Sequence, residues 1–244
     1  MNPPLSPRRR SLWLAVGVLA VLTTVVFGQD QPAPAVTVDF TAIALIEKPV
    51  TDLLYVTGGQ ATALKVPVFA RSSGYKYTGP ATMKLYRMQD NNGTKQPVEA
   101  GTVELPKGAT RVLLVFAGAA PDYTIGALDD SGAGFGLGTA RLCNATVFKL
   151  SLKCNDTEVV ELAPGATKVL PAKNGFMGVE VSYFKDNRWV AATSNSYSVP
   201  PNGRLNVFLL TSGNNIRFIF PRAVQIFTLP EKAASASGAS VKKP

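Results

Sequence analysis

Leu105-Pro106-Lys107-Gly108-Ala109-Thr110-Arg111 runs directly into Val112-Leu113-Leu114-Val115-Phe116. Pro presets φ for a turn, Gly takes a positive-φ position, and an apolar, β-branched and aromatic run follows. The phrase returns as Leu162-Ala163-Pro164-Gly165-Ala166-Thr167-Lys168-Val169-Leu170. A looser copy, Val199-Pro200-Pro201-Asn202-Gly203-Arg204, precedes Leu205-Asn206-Val207-Phe208-Leu209-Leu210. Each copy reads as a strand end, a tight turn and a new strand. Three such turns predict an all-β chain with an internal duplication.

Composition agrees. Of 244 residues, 46% are apolar, which suits a packed core rather than disorder. The 21 Gly and 18 Pro are spread along the chain as turn punctuation, which favours many short strands. There is no histidine, which removes Ser-His-Asp and Cys-His catalysis and every imidazole metal site. The formal charge is +9, of which Arg8, Arg9 and Arg10 supply three. The modest basic excess that remains fits a basic β-protein, and no cationic stripe interleaved with aromatics points to nucleic acid.

Residues 1–28 read as an export signal. The three arginines precede an apolar run over residues 12–27, and Gly28-Gln29 is the expected cleavage site. As a helix that run spans about 24 Å, short of the roughly 30 Å hydrocarbon core, so cleavage is preferred over a short membrane anchor. Residues 29–35 form a linker. Residues 36–130 and 139–230 form two tandem Ig-like β-sandwich modules, and the Gly-rich stretch 131–138 joins them. Residues 231–244, rich in Ala, Ser, Gly and Lys, form a disordered tail. Residues 84–128 and 182–220 repeat one order of strands and turns.

Leu128-Asp129-Asp130-Ser131, the run Tyr75-Lys76-Tyr77-Thr78-Gly79-Pro80 and the repeated Pro-Gly turn resemble a group of exported bacterial proteins, most familiar from verrucomicrobial genomes. The second half is similar to Ig-like repeats of exported proteins. The resemblance implies a periplasmic or extracellular β-sandwich. It brings no activity, cofactor or site residue.

Several residues are candidates for chemistry. Cys143 and Cys154 are the only cysteines, and in an oxidising compartment a pair suggests a disulfide. Strand parity favours two free thiols instead: Cys154 shares a face with Leu150 and Leu152, whereas Cys143 shares one with Arg141, expected at the surface. Asp129 and Asp130 supply too few oxygens for Ca²⁺ and read as a side-chain-bonded turn. The glycines at 132, 134, 136 and 138 lack the Lys-Ser/Thr and the helix of a phosphate loop. Residues 71–80 read as a loop that displays Arg71, Tyr75, Lys76 and Tyr77, either for ligand or partner contact or as an anchor on the sandwich. Trp189 starts a strand and is expected in the core.

No cofactor is implied. The expected function is a non-catalytic, exported envelope protein with a structural, scaffold or binding role. The alternatives are a carbohydrate-binding module using Tyr75 and Tyr77, or a glycoside hydrolase using carboxylates alone. The expected partner is an envelope protein or a polysaccharide. Nucleic acid is not expected, and membrane contact is expected only through an uncleaved N-terminal segment.

Overall fold

The computed structural model describes residues 34–212 and 215–219. The signal with its Gly28-Gln29 site, the strand expected over 223–229 and the tail lie outside the described residues.

The first half builds β1 (Val36–Ala44), β2 (Val50–Thr57), β3 (Gln60–Val66), β4 (Tyr75–Gly79), β5 (Thr82–Asn91), β6 (Thr94–Glu104), β7 (Arg111–Ala119) and β8 (Asp122–Asp129). The second builds β9 (Thr139–Asn144), β10 (Leu150–Cys154), β11 (Glu158–Leu162), β12 (Thr167–Pro171), β13 (Phe176–Lys185), β14 (Arg188–Ser198), β15 (Arg204–Ser212) and β16 (Asn215–Ile219). Four sheets result, with strand orders β3-β2-β5-β6 (sheet I), β4-β1-β7-β8 (sheet II), β12-β9-β15-β16 (sheet III) and β11-β10-β13-β14 (sheet IV). Adding eight to every strand of sheets I and II gives sheets IV and III. The duplication is therefore complete at the level of topology.

The Pro-Gly phrase has a different meaning from the one its repetition suggests. Its copies lie at β6–β7, β11–β12 and β14–β15, and the β11–β12 copy has no partner at β6–β7 when the halves are superposed by strand order. What the three share is a task. Each carries the chain from an outer sheet, I or IV, to an inner one, II or III. Reversing direction while changing sheet requires a tight turn, and Pro with Gly108 at φ 76° or Gly165 at φ 76° supplies it. The hairpins within a sheet use another device. Gly58-Gly59, Asn92-Gly93 and Asp186-Asn187 have positive φ at both central positions, the two-residue turn that matches strand twist.

Three apolar seams bind four layers in the order I, II, III, IV. Phe40, Leu53, Leu85 and Phe116 pack between sheets I and II, and Leu142, Leu152, Val181 and Val207 between III and IV. Ile43, Leu45 and Leu113 of sheet II meet Cys143 and Phe208 of sheet III in the middle. Each fully buried Phe or Leu contributes about 1.5–3 kcal/mol. The inner sheets are thus covered on both faces. Their central pairs, β1 with β7 and β9 with β15, are parallel, while the other pairs are antiparallel. Two-faced burial explains the unbroken apolar runs that follow two copies of the phrase. It shows also in β1, which alternates from Val36 to Phe40 and is then buried at every residue from Ala42 to Ala44.

Candidate functional site

The stretch expected as a displayed loop is a strand. Tyr75–Gly79 is β4, the edge of sheet II, paired antiparallel with β1. Its side chains alternate as an edge strand's should. Tyr77 is 3% exposed, and its hydroxyl donates to the Pro80 carbonyl at 2.9 Å. Burial raises its pKa. Tyr75 stacks on Phe40 with centroids 5.2 Å apart and meets Tyr55 edge-on. Its hydroxyl accepts from the Lys65 amide at 3.0 Å and donates to the Lys65 carbonyl at 3.2 Å, stitching the edge of sheet II to that of sheet I. Lys76 points outward, 3.9 Å from Asp39, an exposed pair of little energetic weight. These rings anchor the sandwich, and Tyr77 also lines a hollow at the edge of sheet I.

Arg71 belongs to a different cluster. It donates to Thr41 at 3.0 Å and to Asp130 at 2.8 Å, with both partners of the ion pair largely buried. Asp130 ends the first module, and its carbonyl accepts from Arg204 at 2.9 Å. Arg141 donates to the Asp129 carbonyl and stacks on Phe135, 4.0 Å from the ring centroid. Arg204 approaches the same ring at 5.7 Å. The Asp129 carboxylate accepts from the Ser131 amide at 2.8 Å and from its hydroxyl, the turn expected in place of a Ca²⁺ site. The Gly-rich joint is therefore not a bare linker: Phe135 is fully buried in it, beneath two guanidiniums. Burial holds the Arg141 pKa below its ordinary value, while Cys143, Asp130 and Asp129 oppose that shift. Arg141 was expected at the surface. It is 6% exposed because sheet II covers the outer face of sheet III.

The same covering buries Cys143. Cys154 lies on the other side of the second core, and both thiols are free. The strands β9 and β10 are not hairpin neighbours: they belong to different sheets. Burial pushes the Cys143 thiol up to about 12 and the Cys154 thiol up to about 11. Neither is a nucleophile under ordinary conditions. Among the described residues no three His, Cys, Asp or Glu gather as a metal site.

Exposed aromatics lie elsewhere: Phe176, 55% exposed, opens β13, and a pair of rings stands near the end of the same strand. Phe184 and Trp189 face each other across the β13–β14 hairpin, one step before its turn, with centroids 5.2 Å apart and rings at 62°. They are 39% and 41% exposed. Lys149 sits beside them, its ammonium 5.8 Å from the Trp189 centroid and paired with Glu161. Trp189, expected in the core, is at the surface because the hairpin runs on past the pair Val181 and Thr193, where the last buried residue of β13 lies. The duplication supplies an internal control. In the first module the equivalent cross-strand pair, one step before the Asn92-Gly93 turn, is Asp90 and Lys95. The fold does not need aromatics there.

The described surface also has hollows, two of which border residues discussed above. One of about 290 Å³ opens between the modules beside Leu128, Cys143 and Phe208, and is mostly apolar. Its main polar side chain, Asn144, is fully engaged, donating to the Phe148 and Leu162 carbonyls and accepting from Thr146. The other, about 460 Å³, lies between the Gly58-Gly59 turn and Tyr86. No protein-family model matches this chain, and no curated protein matches it.

Proposed function

We propose that the protein is an exported, non-catalytic binding protein of the cell envelope, in which the first module braces the second and the β13–β14 tip of the second makes the contact. The single observation behind this reading is the exposed Phe184–Trp189 pair at a place where the sister module carries Asp90 and Lys95. Large rings are costly to leave in water unless they are used. The carboxylates support a binding role over hydrolysis. Asp39, Asp52, Glu99, Asp130, Glu161 and Glu180 each face a lysine or arginine. The adjacent pair Asp129 and Asp130 is committed to a turn and to Arg71.

The test is sedimentation of purified protein with an envelope fraction of the source cells. Wild type should pellet, and Phe184→Ala/Trp189→Ala should stay in the supernatant with an unchanged thermal midpoint. Wild type remaining in the supernatant would sink the reading.

A further inference from the structure

We propose that the β13–β14 tip docks on an anionic lipid surface, an inference that rests on the binding role above and names its partner. Phe184, Trp189 and Val147 are exposed large apolar side chains, Val147 at 80%. They come from two neighbouring segments. The Phe184 amide donates to the Lys149 carbonyl at 2.9 Å, and Val147 lies two residues before Lys149 in the crossing from β9 to β10. Lys185 and Arg188 pair across the hairpin immediately outside its turn, and both are exposed. Pleating sends them to the face opposite Phe184 and Trp189, while Lys149 stands on the aromatic side. The tip therefore holds an apolar wedge with cations on both sides, three against Asp186 and Glu161.

That combination is the chemistry of a bilayer interface. Indole and phenyl rings settle at headgroup level, and lysine and arginine stems lie along apolar surface while their charges reach lipid phosphates. A sugar fits less well. Phe184 meets Trp189 edge-on and the Lys149 ammonium lies near the indole, so the pair is not a flat stacking platform. A hairpin end also lacks the concavity of a small-ligand site.

Residues 29–244 contain every described strand and all three cores, and Trp189 is their only tryptophan. This chain is mixed with sucrose-loaded vesicles of phosphatidylcholine alone or with phosphatidylglycerol. It should sediment with the anionic vesicles, with a blue shift of Trp189 emission. Phe184→Ala/Trp189→Ala should weaken partitioning by about tenfold or more. Lys185→Glu/Arg188→Glu, at two exposed positions and checked for an unchanged fold by circular dichroism, should abolish the preference for phosphatidylglycerol. Absence of sedimentation with anionic vesicles overturns the proposal, as does binding that neither variant changes. Retention on isolated cell-wall polysaccharide without vesicle binding overturns it in favour of a glycan. If vesicles fail while envelope sedimentation persists, the lipid assignment falls and the binding role stands; if both fail, both fall.

Discussion

The Arg141 guanidinium lies over the Phe135 ring, 4.0 Å from its centroid, and so fastens the connector to the first strand of the second module. Arg204, which opens β15, reaches the same ring, and Asp130 ties the cluster back to Arg71 of the first module. The joint is a packed element. Its glycines serve the tight path around Phe135, and Gly132 at φ 104° passes so close to Arg204 that a Cβ would lie 2.7 Å from its Nη2.

Phe135→Ala should therefore cost about 4 kcal/mol, the cavity left by a buried ring plus the lost cation contacts. Denaturant unfolding measures the loss. Native-state proteolysis adds a second readout: wild type should resist cleavage over residues 131–138, and the variant should be cut there.

Asp130→Asn should cost about 3 kcal/mol, because it leaves the Arg71 guanidinium buried without its carboxylate. The double variant with Arg71→Met should lose less than the sum of the single changes, since the second removes the charge that the first orphaned. Thermal melts of the four proteins give the coupling directly.

Both thiols should be silent to a thiol reagent in the folded protein and react fully in guanidinium. Their pKa values are raised by burial above the ordinary thiol value, Cys143 to about 12 and Cys154 to about 11. The unfolded chain therefore ionises first as pH rises. This contribution to stability is intact below about pH 9 and is lost progressively as pH climbs through the folded values. Stability measured from pH 8 upward should fall, and Cys143→Ala should flatten that fall.

Gly79 faces the ring of Tyr77: a Cβ there would sit 2.6 Å from the hydroxyl and 2.8 Å from Cζ. Gly79→Ala should displace the ring and cost about 1–3 kcal/mol. Tyr77→Phe in that background should recover part of the loss, although on its own it removes the hydrogen bond to Pro80. Tyr77→Ala should cost about 3–5 kcal/mol. A midpoint unchanged by Tyr77→Ala would show that the ring is not an anchor.

Much of the fold was legible because its signals are local. The turns at Pro106-Lys107-Gly108 and Pro164-Gly165 and the strand after Arg111 follow from turn chemistry and the apolar run alone. The failures share a nonlocal cause. Strand parity assumes one wet face, so Arg141 and Cys143 were misread where a second sandwich covers that face. Tyr75–Gly79 is short, ends in Gly-Pro and follows Ser-Ser-Gly, so punctuation concealed an edge strand. The exposure of Phe184 and Trp189 was missed for the opposite reason. Nothing near Trp189 says how far the hairpin outruns the core, and only the sister pair Asp90 and Lys95 makes its rings conspicuous.

The central seam joins like to like, since Ile43 pairs with Val115 across β1 and β7 as Cys143 pairs with Phe208 across β9 and β15. Yet the two surfaces have diverged. Thr41 stands where its sister carries Arg141, and Leu113 where its sister carries Asn206. The two faces of the seam match in position and differ in composition. Either half without the other would present Ile43 and Leu113, or Cys143 and Phe208, as a bare apolar patch, so the two sandwiches depend on each other for solubility.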